Sequence, residues 1–398
     1  MDQRLRPDLF LLDPEAAHLN HGSYGSVPIP VLEAQRRAAE SIERSPERFY
    51  RVDLAPAIDA VREEVASFLH TEAEGLALVE NATTAVQVVL DAVGLEPGSE
   101  IVYTDHAYGW VKAAIARACA RTGAVACVIS LPAGAELSPA GEARTSAEVL
   151  LATLREVITK HTKLVVLDQI TSASALRLPV EAVCAELGAE VPILIDGAHA
   201  PGLIDEPVPT GAAFWLGNLH KWAFAARTAA VLVVAPHYRE RVRPLVASAG
   251  AADGFPRSFS YLGTRDPSAY LALPASLAFP GEFLGMSFAE LRQRNAKLLN
   301  KGLKQLAERL NLTPAVDNGL PLRTVALGLE GDDAAAWRLA GNLREAGVEV
   351  AVTAVEGQLH ARVSVQAYVG SEDLERLGEV LAQLLGVGRG RLPTRFST

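Results

Sequence analysis

The stretch VPILIDGAHAPG, residues 191–202, decides how this chain folds. Apolar residues run without interruption up to Asp196, and small residues with one histidine, His199, follow. An unbroken apolar run between Pro and Gly is typical of a strand buried on both faces of a parallel sheet. Asp196 is therefore expected at the carboxyl end of such a strand, which is where open parallel sheets bind their ligands.

Other apolar runs accompany this strand along the chain. They are LALVE (76–80), EIVYT (100–104), KLVVLD (163–168) and AAVLVVA (229–235). Helical patterns such as TTAVQVVLDAVG and WVKAAIARACARTG lie between them. Strands that alternate with helices predict a mainly parallel sheet covered on both faces, over roughly residues 70–245.

The pattern changes after about residue 265. A long amphipathic helix, MSFAELRQRNAKLLNKGLKQLAERL, precedes the strand-like runs RTVALGLE, VEVAVTA and ARVSVQAY and two further helical patterns. We predict an N-terminal arm (1–30), a large α/β domain (31–265) and a small C-terminal α+β domain with its linking helix (266–398). The Pro-, Gly- and Ala-rich segment 131–146 is predicted to be a surface loop.

Composition excludes several classes of protein. The 398 residues are 49% hydrophobic and 21% charged, which is typical of a folded domain rather than a disordered chain. The net charge of −10 argues against a nucleic-acid surface. Cys119, Cys127 and Cys184 are too few for a four-thiolate zinc site, and we expect no metal. No secretory or membrane-spanning stretch is recognised, so a cytoplasmic protein without a membrane partner is expected.

Polar residues cluster where the predicted strands end. The clusters are NATT (81–84), DHAY (105–108), DQITS (168–172), DGAH (196–199) and NLHK (218–221). Together they predict a titratable pocket at one edge of the sheet. Each also has a plain structural explanation: a helix N-cap for Asn81, a capping or paired carboxylate for Asp196, and a surface lysine for Lys221. A desolvated Lys221 would instead be a nucleophilic amine.

Seven motifs carry a resemblance to a known family. They are LNHGSYGSVP (19–28), ENATTAV (80–86), DHAYG (105–109), ILIDGAHAPG (193–202), LGNLHKW (216–222), GTRD (263–266) and RVSVQAY (362–368). The chain resembles the class V aminotransferase superfamily of fold-type I enzymes that use pyridoxal 5′-phosphate, and within it the isopenicillin N epimerase-like branch. The resemblance implies a large α/β domain and a smaller α+β domain.

The resemblance also implies roles for single residues. Lys221 matches the lysine that forms the Schiff base, and Asp196 matches the acid that pairs with the pyridinium nitrogen. His199, with Thr171 or Ser172, matches the contact to the ring hydroxyl, and Tyr108, or His106 in its place, matches the aromatic ring stacked on the cofactor. The implied phosphate contacts are Asn81, Ala82, Thr83, Asn218 and His220, with Thr264 supplied by the neighbouring subunit of a homodimer. Arg362 matches the arginine that binds the substrate carboxylate, and Asn20 and His21 lie where the arm reaches the substrate.

The reaction itself stays open at this stage. We predict catalysis through Lys221, Asp196 and Tyr108 on an α-amino acid, with epimerisation first, and C–S cleavage of the cysteine desulfhydrase kind or transamination as alternatives. Candidates for the second base that epimerisation needs are Tyr24, His21, Tyr108 and His106. The chain has no cysteine between 320 and 362, which makes persulfide transfer improbable. A dinucleotide-binding enzyme or a cofactor-free interaction protein is the alternative outside this class, but no Gly-x-Gly-x-x-Gly turn supports the former.

The strand HARVSVQAY gives Arg362 two possible functions. Its alternation places Arg362, Ser364 and Gln366 on one face. An arginine on a polar strand face is commonly solvated or salt-bridged. A carboxylate ligand is the alternative, because a planar guanidinium binds a carboxylate through two parallel hydrogen bonds.

Overall fold

The computed structural model describes residues 3–131, 143–247, 249–315 and 317–386. The chain forms two compact units. The larger comprises Val27–Ser172 and Arg177–Phe279, and the smaller comprises Met1–Ser26, Ala173–Leu176 and Pro280–Thr398. These bounds differ from the predicted ones at 30 and 265, because the short piece 173–176 joins the smaller unit and the helices before residue 280 join the larger. Most of the predicted loop 131–146 lies outside the described residues.

Strands and helices occupy most of the described chain. The strands are β1 (Ala17–His18), β2 (Leu76–Val79), β3 (Glu100–Thr104), β4 (Val125–Ile129), β5 (Thr162–Asp168), β6 (Ile193–Asp196), β7 (Phe214–Asn218), β8 (Ala230–Val234), β9 (Leu322–Glu330), β10 (Val348–Glu349), β11 (Ala351–Val355) and β12 (Gln358–Ser364). The helices are α1 (His21–Tyr24), α2 (Ile29–Glu43), α3 (Pro46–Arg48), α4 (Leu54–Phe68), α5 (Ala82–Ala92), α6 (Gly109–Thr122), α7 (Ala143–Val157), α8 (Val180–Leu187), α9 (Leu219–Trp222), α10 (Ser268–Leu271), α11 (Leu273–Phe279), α12 (Phe288–Leu310), α13 (Asp333–Glu345) and α14 (Ser371–Leu384).

The larger unit is built on a seven-stranded sheet with strand order β2-β8-β7-β6-β5-β3-β4. All strands run in one direction except β8, which is antiparallel to both β2 and β7. The predicted α/β class with a mainly parallel sheet is confirmed. The direction of β8 was not predicted, because an unbroken apolar run has the same pattern in both directions. The strands β4 and β7 were also not identified from the sequence.

Strand β7 lies in the interior of the sheet and is buried on both faces. Phe214, Trp215 and Leu216 are all within 1% of complete burial. The one polar atom of Trp215 does not go unpaired, because its indole N–H donates to Gln169 Oε1 at 3.0 Å. Gln169 Nε2 in turn donates to the Pro207 carbonyl at 2.9 Å. Full hydrogen bonding of these buried groups avoids a desolvation penalty and fixes the strand that leads into Lys221.

The smaller unit combines the arm with the C-terminal half. Its antiparallel sheet has the order β11-β12-β9, and β1 of the arm pairs in parallel with β10. Helix α12 begins at a capping box formed by Ser287 and Glu290 and ends at Asn311 in the left-handed conformation. These devices satisfy the backbone groups that a helix leaves unpaired at its ends. The antiparallel sheet together with the helices α12, α13 and α14 confirms the α+β character predicted for this region.

Within the described ranges, no single helix is long and apolar enough to cross a bilayer. One bent pair of helices, Ser268–Leu284 with Phe288–Leu310, would be long and apolar enough together.

Gly202 makes a close approach that the fold of the larger unit requires. Its φ is +84°, and a Cβ added there would lie 2.6 Å from the carbonyl oxygen of Trp222, at the end of α9. We expect Gly202→Ala to lower the free energy of unfolding by about 2–4 kcal/mol through backbone strain and the clash together. Urea unfolding measures this loss.

Gly98 provides a matched control for this substitution. Its φ is also +84°, but nothing lies within 4 Å of an added Cβ. Gly98→Ala should therefore cost only the backbone strain, about 1–2 kcal/mol. Equal losses in the two variants would show that the approach to Trp222 is not tight.

Candidate active site

Lys221 lies on the short helix α9, which follows β7 directly. Its Nζ is 3.2 Å from His199 Nε2, and the indole N–H of Trp222 donates to His199 Nδ1 at 3.3 Å. An indole nitrogen can only donate, so Nδ1 of His199 is the acceptor and Nε2 of the neutral ring carries the proton. A hydrogen bond from that proton to Lys221 Nζ requires the neutral amine, which is also the form of lysine that attacks an aldehyde.

Asp196 ends β6, as the sequence predicted, and its side chain is buried. Its Oδ1 accepts the Ala198 N–H at 2.9 Å. Burial raises the pKa of Asp196, while the Ala198 N–H and the Lys221 ammonium act in the opposite direction. A buried carboxylate with two stabilising neighbours is suited to bind a cationic ring nitrogen.

Asp168 occupies the equivalent position on the neighbouring strand. It ends β5 and is the register partner of Asp196. From the sequence, Asp168 was expected in a polar cluster at the end of a strand, without a role of its own. A usable pattern was present, because KLVVLD and VPILID both end an apolar strand with an aspartate. Burial and then the charge of Asp196 raise the pKa of Asp168 well above its usual range.

The turn between β2 and α5 is joined to the end of β7. Asn81 is the N-cap of α5, since its Oδ1 accepts the Thr84 N–H at 2.8 Å. Asn218 Oδ1 accepts the Ala82 N–H at 2.9 Å. The plain explanation of Asn81 as a helix cap is thus correct. The N-terminus of an eleven-residue helix also favours an anion, so the phosphate contacts of Asn81, Ala82, Thr83 and Asn218 stay predictions compatible with this geometry.

His220 is held by the backbone of the neighbouring strand end. Its Nδ1 lies 3.3 Å from the Ala229 carbonyl oxygen, which can only accept, so Nδ1 carries the proton of the neutral ring. Burial, and secondly the Lys221 charge, lower the pKa of His220 to about 4. In this tautomer Nε2 is an acceptor and does not donate to a phosphate oxygen. The predicted phosphate role of His220 therefore requires a protonated or reoriented ring.

The loop after β3 contains Tyr108 and His106, the two candidates for the aromatic ring that stacks on the cofactor. Tyr108 is 41% exposed, and its backbone N–H is hydrogen-bonded to the Asp168 carboxyl group. His106 Nε2 lies 4.0 Å from Asp105 Oδ1. Thr171 is fully buried beyond β5. The stacking and ring-hydroxyl contacts assigned to these residues stay predictions.

Thr264 lies on an exposed loop of the larger unit. Its hydroxyl is 3.4 Å from Tyr261 Oη. The next residue, Arg265, forms an ion pair with Glu80, and its carbonyl accepts a hydrogen bond from Tyr50 at 2.8 Å. The loop is therefore tied to the strand end that precedes Asn81, and the supply of Thr264 to a second subunit stays a prediction.

Arg362 belongs to the smaller unit and is buried on β12. Its Nη2 donates to Ser23 Oγ at 2.6 Å and lies 3.3 Å from Asn20 Oδ1. The polar face predicted for this strand is thus covered by the arm rather than by solvent. Ser364 on the same face accepts the Gly22 N–H at 3.1 Å. Hydroxyl and amide oxygens accept hydrogen bonds from the guanidinium without neutralising its charge.

His21 joins the arm to the end of β12 within the smaller unit. Gln366 Oε1 accepts from Asn295 Nδ2 and from the Ala367 N–H, both at 2.9 Å, so its amide nitrogen faces His21 Nε2 at 3.4 Å. His21 Nδ1 then donates to Tyr368 Oη at 2.9 Å. Both ring nitrogens are engaged, so the predicted substrate and second-base roles of His21 receive no support from its contacts.

Among the residues that the structure describes, no group of three or more His, Cys, Asp or Glu side chains is arranged to hold a metal ion. What the larger unit does present is an amine, a buried carboxylate and a helix N-terminus joined through β6 and β7. These groups match the aldehyde, the pyridine nitrogen and the phosphate of pyridoxal 5′-phosphate.

The buried, neutral His220 predicts a specific dependence of stability on pH. Its folded pKa of about 4 is below the value of about 6.5 for an unfolded histidine, so the unfolded chain binds the extra proton between these values. Stability should therefore fall as the pH drops from 6.5 to 4, by up to about 3 kcal/mol from this residue. His220→Gln should remove that part of the slope in urea unfolding.

A substitution at an exposed histidine gives the comparison. His161→Gln should leave the slope between pH 4 and 6.5 as it is in the unsubstituted protein. If the two variants show the same slope, His220 is not held neutral.

Three comparisons relate this chain to known proteins. The family model described as aminotransferase class-V matches residues 48–377. A putative L-cysteine desulfhydrase 1 from Oryza sativa subsp. japonica is 31% identical, over 94% of this chain and 84% of its own length. An isopenicillin N epimerase from Streptomyces clavuligerus is 28% identical, over 94% of this chain and 96% of its own length.

Solved structures share the fold at low identity. The cystine C–S lyase C-DES, in complex with its reaction product cysteine persulfide, has a TM-score of 0.76 and 18% identity, and the match covers 93% of this chain and 98% of that one. The cysteine desulfurase CsdA from Escherichia coli has a TM-score of 0.74 and 17% identity, with 96% and 98% covered. These likenesses show the fold-type I architecture.

Proposed function

This chain belongs to the aminotransferase class-V family of pyridoxal 5′-phosphate enzymes, and we propose that it cleaves the Cβ–S bond of a cysteine-like α-amino acid by β-elimination. The observation that carries this proposal is the position of the Lys221 Nζ, held 3.2 Å from His199 Nε2 beside the buried Asp196. One amine in this setting is sufficient to remove one proton from the substrate Cα.

The residues of the larger unit fit the cofactor by their chemistry. Lys221 would bind its aldehyde carbon, Asp196 its ring nitrogen, and the turn at 81–84 its phosphate. When bound, pyridoxal phosphate supplies an electron sink for the electron pair left by the Cα–H bond. The negative charge of Asp196 keeps the ring nitrogen protonated, which is the state that accepts electrons best.

Lys221 and His199 then act on the proton. The amine of Lys221 takes the Cα proton, and the Nε2–H of His199 orients that amine through a hydrogen bond. Loss of the Cα–H and Cβ–S bonds from L-cysteine releases sulfide, and addition of one water to the remaining fragment yields pyruvate and ammonia. The proton taken by Lys221 leaves with the sulfide, so the balance is L-cysteine plus water to pyruvate, hydrogen sulfide and ammonia.

The choice of C–S cleavage over epimerisation reverses the order of preference reached from sequence. Epimerisation needs a second acid on the opposite face of the ring, and His21, one candidate for it, has both nitrogens engaged within the smaller unit. β-Elimination needs only Lys221. The desulfhydrase relative is also the more identical of the two relatives described above.

Epimerisation remains the second candidate. The Streptomyces clavuligerus epimerase is matched over 96% of its length, which is more than the desulfhydrase is. Tyr108, exposed on the loop after β3, is a candidate for the second acid that this reaction would use, and Tyr24 and His106 are the others. We further propose that the working enzyme is a homodimer in which Thr264 completes the phosphate site of the partner.

The first test measures products from L-cysteine. We expect the purified protein loaded with pyridoxal 5′-phosphate to release sulfide, pyruvate and ammonia in equal amounts. Lys221→Ala should abolish sulfide release and the visible absorption of the bound cofactor, because no amine remains to bind the aldehyde. Lys160→Ala, which changes an exposed lysine, is the control and should retain both.

Other products would overturn the proposed elimination. Accumulation of the D-amino acid, with deuterium incorporated at Cα and no sulfide, would indicate epimerisation. Conversion of the cofactor to its amine form with release of a keto acid that keeps its sulfur would indicate transamination.

The second test concerns Arg362 as the ligand of the substrate carboxylate. Arg362→Lys should raise KM about 10- to 100-fold, since a hydrogen bond to a charged group is worth about 1.5–3 kcal/mol and lysine cannot bind both oxygens in parallel. The visible spectrum of the bound cofactor should not change. Arg338→Lys, on the exposed face of α13, serves as the control.

An unchanged KM in Arg362→Lys would make Arg362 a structural residue that holds the arm through Ser23. Amines without a carboxylate, used as cofactor ligands, should bind the variant and the unsubstituted protein equally.

A further inference from the structure

Two aspartates end neighbouring strands at the same level of the sheet. Asp168 of β5 and Asp196 of β6 are register partners in a parallel pair, so their side chains lie on the same face. They are 3% and 4% exposed. Two carboxylates buried side by side cannot both keep a negative charge without a large electrostatic cost, so the pair tends to hold one proton.

The surrounding groups decide which aspartate keeps the charge. Asp196 faces Lys221 from α9 and accepts the Ala198 N–H. Asp168 faces Lys112 from α6 and accepts the Tyr108 N–H.

The lysine of α6 is engaged elsewhere. Lys112 Nζ donates to the Asp105 carbonyl oxygen at 2.8 Å, and the Asp105 carboxylate itself accepts the Leu131 N–H through Oδ1 at 3.1 Å. Asp196, in contrast, accepts the Ala198 N–H at 2.9 Å and lies beside Lys221. These contacts favour the charge on Asp196 and the proton on Asp168, and the pKa of Asp168 is raised in the same sense by its burial and by the charge of Asp196.

We propose that Asp168 is a positioning residue of the cofactor site, which confines the negative charge of the aspartate pair to Asp196 and holds the backbone of Tyr108. This inference rests on the proposed function for its cofactor, pyridoxal 5′-phosphate. A neutral Asp168 leaves Asp196 as the single anion for the ring nitrogen. Its carboxyl oxygen, by accepting the Tyr108 N–H, holds the residue at which the loop ends and α6 begins.

A proton held by Asp168 in the folded state makes the free energy of unfolding depend on pH. Asp168 titrates higher in the folded chain than in the unfolded chain, so the folded state binds more protons between the two pKa values. Stability is then lost as the pH rises from the unfolded pKa, near 4, toward the folded pKa, and the unfolding constant rises by up to about tenfold per pH unit from this group. Asn at position 168 imitates the protonated carboxyl group and cannot titrate.

The charge is tested by urea unfolding of the full chain with saturating pyridoxal 5′-phosphate, from pH 5.0 to 7.5. We expect the ratio of the unfolding constants of the unsubstituted protein and Asp168→Asn to rise with pH, by up to about tenfold per unit, the limit for one proton. Asp91→Asn, an exposed aspartate on α5, is the matched control and should show a constant ratio. A constant ratio for Asp168→Asn would overturn the inference.

The positioning role is tested by the dissociation constant of pyridoxal 5′-phosphate at pH 7, measured by absorbance. Asp168→Asn keeps an acceptor for the Tyr108 N–H, and we expect its constant to stay within about threefold. Asp168→Ala lacks the acceptor, and its constant should rise about tenfold or more, as one lost hydrogen bond of this kind permits. Equal constants for the Asn and Ala variants, or a loss in Asp168→Asn as large as in Asp196→Asn, would overturn the role.

The tests of Asp168 and the test of sulfide release from L-cysteine can fail independently of each other. If L-cysteine yields no sulfide while the pH-dependent ratio and the Asn–Ala difference are both observed, the C–S lyase proposal is wrong and the role of Asp168 stands. If sulfide is produced and the ratio is constant, the reaction stands and the role of Asp168 is wrong.

Discussion

The burial of charged groups at the ends of β5, β6 and β7 is the constraint on which the larger unit depends. Asp168 and Asp196 are buried at the ends of their strands, and Lys221 is half-buried on the helix that follows β7, so none of them is solvated as a surface charge would be. Each has to be satisfied by a neighbour or change its protonation state. The neutral His199 between Trp222 and Lys221, and the single charge of the aspartate pair, are two solutions to this one constraint.

The close packing around β7 keeps these neighbours at fixed distances. A Cβ at Gly197 would lie 2.5 Å from the Trp215 ring, and one at Gly217 would lie 2.7 Å from Pro201. Glycine at both positions therefore lets the strand ends approach the indole closely. Such packing orients Asp196 and Lys221 without a ligand, which is what a preorganised site requires.

The smaller unit shows the same principle with a different set of groups. Arg362 is buried, and its Nη2 donates to Ser23 Oγ and lies 3.3 Å from Asn20 Oδ1. Arg323 of the same sheet is also buried and is paired with Asp317. Both guanidinium groups have acceptors within the unit, as the burial of a charge requires.

The sequence by itself determined the α/β class, the strand that ends in Asp196, and the family, because apolar periodicity and short motifs are local properties of the chain. Only the tertiary structure decided that β8 runs antiparallel, that the arm covers the polar face of Arg362, and that His21 and His220 are held in particular tautomers. Pairing direction and hydrogen-bond partners depend on residues far apart in sequence. Asp168 is an example. The apolar strand that it ends is recognisable in the sequence, but the carboxylate of Asp196, 28 positions further along the chain, is brought beside it only by the register of β5 and β6.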